Sequence, residues 1–213
     1  MKHVKKIALA LVCVMLMGVL GGCGSKFDAA EYLKATLDNS YKNDSSGLVK
    51  LKLGTAEEAS DIYEEGIDTE VNAFLEGLTV SDTLEEEFRE VFKDMFSKVK
   101  YTVGKAEKQS NGSFVVTVTY EKMIIFEPMM EDYMQAVMNL QGDASVAALS
   151  QEEQMEKLME AMKDSMKNAM SAITYAEPAE LTIKIELVDK LYTPNTNDLA
   201  NLEMSLFDME AVQ

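Results

Sequence analysis

The chain has 213 residues and a formal net charge of −17, with 37 acids against 20 bases. So anionic a surface repels nucleic acid and anionic lipid head groups, which excludes both as partners of the folded part. One histidine (His3), two cysteines (Cys13 and Cys23), one arginine (Arg89) and no tryptophan exclude a histidine-rich metal centre and a multi-arginine anion clamp.

The N-terminus carries Lys2, Lys5 and Lys6 without an acid, then an apolar run from Ile7 to Leu20. That run has signal-peptide length and is too short to span roughly 30 Å of hydrocarbon. It closes on Leu20, Gly21, Gly22 and Cys23, with Gly24 and Ser25 behind. These residues resemble a bacterial lipobox, which implies cleavage before Cys23 and a diacylglycerol thioether on its sulfur. The alternative is an ordinary secretory signal that leaves Cys23 as a free thiol, an awkward design for an exported protein. On the lipobox reading, residues 1–22 are a signal peptide and residues 23–27 are the lipidated cysteine and a short tether. Residues 28–213 then form a single domain, exported and held on the outer face of the cytoplasmic membrane. At about 0.8 kcal/mol per buried methylene, two acyl chains anchor stably where one would not, so the lipid bilayer is a partner only through the acyl anchor on Cys23. Cleavage also discards His3, Cys13 and three lysines but no acid, leaving 17 bases, 37 acids and a charge of −20. With imidazole and free thiol gone, Ser-His-Asp and Cys-His catalysis and the usual zinc sites are excluded. The roughly 190 exported residues suit one domain and are short for a bilobal solute-binding protein.

Asp28 with Glu31 predicts the start of a helix from about Ala29 to Lys42, with the stripe Ala30, Leu33, Leu37, Tyr41. Leu48 to Leu53 fits a short strand or a turn of helix. Thr55 and Glu58 form a capping box, behind which Ala59, Ile62, Tyr63, Ile67, Val71 and Phe74 recur at helical spacing. Thr83 and Glu86 predict the cap of a third helix, with the face Leu84, Phe88, Val91, Phe92, Met95, Phe96 and Val99. From Tyr101 the period becomes two, and Asn111-Gly112 between alternating runs predicts a hairpin. Its second strand, beginning at Phe114, is expected to run through Met123 to Phe126 until Pro128 stops it. Ten of the 16 methionines lie between Met123 and Met170. There a first helix carries Met130, Met134, Val137 and Met138, a loop spans Gly142 to Leu149, and Ser150 with Glu153 caps a second helix. Leu181 to Val188 alternates as another strand, Pro194 to Asn197 break it, and a short apolar tail follows.

Helices first and an antiparallel sheet after them define an α+β fold. We expect N-terminal helices packed on a curled antiparallel sheet, with a Met-rich helical insertion between strands at about 129–175. The element order, and the phrase from Thr55 to Phe74 following a helix with Tyr32, Leu33 and Lys34, resemble the NTF2-like or cystatin-like domains of small Gram-positive lipoproteins. The methionine-rich helices stand outside that resemblance.

Three readings fit the stripe Met155, Met159, Met162, Met166 and Met170: a partner surface that repacks easily, a thioether site for Cu(I), or a buried helix face. Its spacing of four, three, four and four favours packing over chelation. The acid runs Glu57-Glu58, Glu64-Glu65 and Glu85-Glu86-Glu87 fall opposite the apolar stripes, as solvated faces do. No stretch completes a calcium loop; 38–47 and 195–203 come nearest. A concave sheet of the NTF2-like kind implies a pocket, for which Tyr101, Phe114, Tyr120 and Phe126 are candidates, with Phe88 and Phe92 from the third helix. The expected function is therefore non-catalytic: an envelope lipoprotein that binds a protein or a small apolar ligand, with no cofactor and no metal. The alternatives are a carboxylate-type cell-wall hydrolase, which needs two acids about 5 to 9.5 Å apart in one cleft, and Cu(I) binding.

Overall fold

The computed structural model describes residues 19–20 and 27–212. Cys23, the expected lipidation site, lies outside the described residues, as do His3 and Cys13. Within the expected signal segment, Val19–Leu20 form a two-residue strand, β1.

Helix α1 (Ala29–Lys42) begins where Asp28 accepts the amides of Ala30 and Glu31 at 3.1 and 3.0 Å. It ends at Asn43, whose φ of 51° is the left-handed conformation asparagine tolerates. Leu48 is buried within a short helix, α2 (Ser46–Lys50), so the helical alternative holds for the start of this piece. In α3 (Ala56–Phe74) Thr55 and Glu58 make the reciprocal capping box. Helix α4 (Asp82–Ser97) starts two residues ahead of expectation: Ser81 rather than Thr83 is the cap and accepts Leu84 N–H at 3.2 Å. Arg89 of α4 clamps α3 through Glu64 (2.8 Å) and Asp68, and also meets Glu86 at 3.2 Å.

Strands β2 (Lys100–Lys108) and β3 (Phe114–Glu121) form the expected hairpin, with Gly112 at φ +88° in its turn. Beyond β3 the chain departs from expectation. Met123–Ile124 is a separate strand, β4, and Phe126 already belongs to helix α5 (Phe126–Gly142). Pro128 therefore does not stop a strand; it sits in the first turn of a helix, where a missing N–H costs nothing. The expected loop contains α6 (Ala144–Ala147), capped by Asp143. Helix α7 (Gln151–Ser171) opens on the predicted Ser150/Glu153 box. A short β5 (Thr174–Tyr175) pairs with β4.

Strand β6 (Ala179–Val188) pairs antiparallel with β3, Val116 opposite Ile183. The chain then turns at Asp189 and Lys190 into β7 (Leu191–Pro194), both turn residues having positive φ. The tail is helical: α8 (Thr196–Leu206), capped by Asn195, followed by a 3-10 turn at Met209–Val212. The antiparallel sheet has the order β1-β7-β6-β3-β2, and β2, β3, β6 and β7 curl as a half-barrel.

Val116 and Val118 of β3 and Ile183 and Ile185 of β6 are buried, and their cluster includes Leu33, Tyr41, Phe92, Phe96, Leu202 and Leu206 of the helices. Alternation along each strand thus feeds one face to the helices and leaves the other to solvent. Phe27 fastens the N-terminal end of the described domain, stacked on Tyr192 at 4.1 Å and edge-on to Phe114 at 5.5 Å.

Candidate binding groove

Helix α5 offers its own N-terminus no side-chain cap. The cap comes from the far end of the chain. Buried Asp208 accepts Ile125 N–H (3.0 Å) and Phe126 N–H (2.9 Å) on Oδ1 and Glu127 N–H (3.0 Å) on Oδ2. A helix leaves four leading amides without an internal partner, and the fourth position here is Pro128, which has none. Phe207 bridges to Met123, and Asp208 N–H donates to the Met123 carbonyl at 3.2 Å, completing the junction.

From this seat α5 lies along α7. Met159, Met162, Met166 and Met170 of α7 are buried, with Phe126 and Met129 of α5 in the same core cluster. Met155 is partly buried against it. The stripe expected as a candidate partner surface is therefore mostly core, because α7 lays it against α4 and α5. Met162 and Met166 line, with Met95, Met129 and three phenylalanines, a void of only about 10 Å³. That leaves room for at most a single water molecule among methionine sulfurs and aromatic rings. Across the α4–α7 seam, Lys163 donates to Glu87 at 2.5 Å, and Glu156 accepts Ser81 N–H at 3.1 Å.

The open apolar surface lies where α5, α6 and the start of α7 meet. Met130, Met134, Val137 and Met138 of α5, Val146 of α6 and Leu158 of α7 line a groove of about 1000 Å³. Met134 and Met138 are 54% and 58% exposed. Polar groups at the groove include Tyr133, Gln135, Gln141, Gln154 and a carboxylate, Glu131. Partial burial pushes the Tyr133 phenol up from its usual range. Such a wall can bury an apolar surface and orient it with a few hydrogen bonds; it brings no nucleophile–base pair together.

The expected aromatic pocket is dispersed. Phe88, Phe92 and Phe126 are core residues, while Phe114 packs against Phe27 and Tyr192. Tyr101 and Tyr120 share a cleft of about 340 Å³ with Lys42 and Lys100. There Tyr101 donates to Asp38 at 2.7 Å, Lys42 stands 4.4 Å from the Tyr101 ring and Lys100 stands 3.6 Å from Tyr175. Helices fill the concavity of the sheet, so no aromatic-lined pocket gathers the six.

Two acids off the expected solvent faces are buried: Glu70 of α3 and Glu203 of α8. Burial, and then the neighbouring Glu70, raise the Glu203 carboxyl well above the usual carboxylate range. Burial and these acids also raise the Tyr41 phenol. Neither Glu203 oxygen has a hydrogen-bond partner among the described residues. The signal was present in the spacing, since Glu70 lies between Ile67 and Phe74, and Glu203 between Leu199 and Leu206, on apolar stripes.

Among the described residues no group of three or more His, Cys, Asp or Glu is placed to hold a metal ion, and no helix is long and apolar enough to cross a membrane. The fold is α+β, with helices packed on a curled antiparallel half-barrel. That fold is shared with a solved structure from Bacillus subtilis described as a "putative lipoprotein (ycdA)", at TM-score 0.62 and 15% identity. The match covers 85% of this chain and 56% of the other, so this chain spans just over half the length of that one. No family model and no curated protein matches the sequence.

Proposed function

We propose that this chain is an exported lipoprotein, anchored through Cys23 to the outer face of the cytoplasmic membrane, whose α+β domain, an NTF2-like or cystatin-like scaffold, is a non-catalytic binding module. The observation that carries the binding role is the open groove of α5, α6 and α7, with Met134 and Met138 more than half exposed. Leaving two neighbouring methionines more than half exposed forgoes a little over half of the roughly 1.5 to 3 kcal/mol that full burial of each would contribute, a pattern that marks interaction surfaces. The described lipoprotein of similar fold and the lipobox at residues 20–23 support the address. A carboxylate hydrolase is less well supported: the groove presents Glu131 without a second carboxylate among its lining residues, and the coupled pair Glu70 and Glu203 is sealed in the core.

Site-specific photo-crosslinking in the native membrane tests the reading. A photoreactive residue at Met138 should capture a discrete envelope component, and one at Met204, exposed on α8, should not. Equal capture at both sites, or none at Met138, would refute a binding groove. Cys23→Ser should abolish palmitate labelling and release the protein from the membrane fraction.

A further inference from the structure

We propose that the occupant of the groove is a cationic amphipathic helix of a partner protein; this rests on the reading of the groove as a binding site. Shape is the first argument. The part of α5 that lines the groove, Met130 to Gln141, is about 18 Å long at about 1.5 Å per residue, room for about three turns of an incoming helix. Met130, Met134, Val137, Met138 and Gln141 repeat at helical spacing along it, the ridge that helix-in-groove recognition uses. Unbranched methionines adapt to whichever apolar side chains arrive.

Charge selects the partner. Residues 126–156, which build α5, α6 and the start of α7, contain seven acids (Glu127, Glu131, Asp132, Asp143, Glu152, Glu153 and Glu156) and neither lysine nor arginine. The first lysine beyond them, Lys157, is engaged by Glu160 at 2.6 Å. Glu127 and Glu131 are exposed and fall on the same α5 line as Met134 and Met138. Lysines or arginines flanking an apolar stripe would meet these carboxylates as the stripe enters the groove. A second copy of this chain would instead set Glu127 and Glu131 against their own counterparts, and an anionic lipid would meet the same repulsion.

The test uses the full lipidated protein in nanodiscs of neutral phosphatidylcholine, with empty discs as background. Its probe is a fluorescent Leu/Lys amphipathic helix of about 18 residues, compared with the same peptide carrying Glu for Lys. Fluorescence anisotropy should show the cationic peptide binding at least about tenfold more tightly than the anionic one. Its affinity should fall at least about tenfold between about 50 and 300 mM salt. Met134→Gln/Met138→Gln should weaken it about tenfold or more, and Glu127→Gln/Glu131→Gln should weaken it and flatten the salt dependence; circular dichroism confirms that both variants fold. Equal binding of both peptides, lost in the methionine variant, would overturn the cationic partner and leave the groove standing. Binding unaffected by the methionine variant would overturn both readings. Groove-dependent dimers in sedimentation would replace the partner helix by a second copy and overturn this proposal alone.

Discussion

Replacing Asp208 by alanine should unseat α5 although the substitution lies 81 to 83 residues from the amides it holds. Three bonds of 2.9 to 3.0 Å are lost, each to a carboxylate and so worth about 1.5 to 3 kcal/mol when measured singly. They share one acceptor group and water can enter the space vacated, so the sum is not additive. We expect a loss of about 3 to 5 kcal/mol, a large share of the 5 to 15 kcal/mol typical of a whole domain. Asp208→Asn keeps one acceptor oxygen and should cost about 1 to 3 kcal/mol. Urea denaturation of residues 24–213 gives both values. Hydrogen exchange should show α5 and the facing turns of α7 losing protection before α1 and α4. A change below about 1 kcal/mol for Asp208→Ala would refute the reasoning, because it would mean that the first turn of α5 finds its partners elsewhere.

The buried Glu203 should make stability fall as pH rises. Its folded-state carboxyl titrates well above the ordinary value of 4.5, so its contribution is fully present below that value and is lost as pH climbs through the raised one. Glu203→Gln, which cannot ionise beside Glu70 and Tyr41, should therefore stabilise the domain at pH 8 by on the order of 1 to 3 kcal/mol and change little at pH 4, checked by thermal melts across pH; a uniform effect at both pH values would contradict this account. Gly47→Ala should destabilise by about 1 to 3 kcal/mol in the same melts, since its Cβ would lie 2.7 Å from the Ala35 Cβ of α1. Met166→Ala, at a residue 2% exposed, should cost about 2 to 5 kcal/mol in urea titrations. Met138→Ala, by contrast, should stay within about 0.5 kcal/mol.

Local chemistry was legible where side chain and backbone are neighbours in sequence. Asp28, the Thr55/Glu58 and Ser150/Glu153 boxes and Asn111-Gly112 mark their boundaries because the groups that meet are two or three residues apart. The turn between β6 and β7 has no such mark, because Asp189 and Lys190 take positive φ without a glycine or asparagine to announce it. The start of α5 has the sequence pattern of a strand because its cap, Asp208, stands about 80 residues away and the alternation of Met123, Ile124 and Ile125 continues the preceding period. Periodicity likewise found both methionine helices but could not say which face of each meets protein: α7 turns its stripe inward, while α5 keeps Met134 and Met138 out.

With the proposed lipid anchor on Cys23, Phe27 takes on a mechanical meaning. It is wedged between Tyr32, Tyr192 and Phe114, so only Gly24, Ser25 and Lys26 separate it from Cys23. Four Cα steps reach about 14 Å at most, less than two Debye lengths of about 8 Å in physiological salt. A lipid-bound Cys23 would thus keep the aromatic corner of the domain within that reach of the head groups. A partner in the same membrane would meet the domain close to the bilayer, with no long search across a distance set by an extended tether.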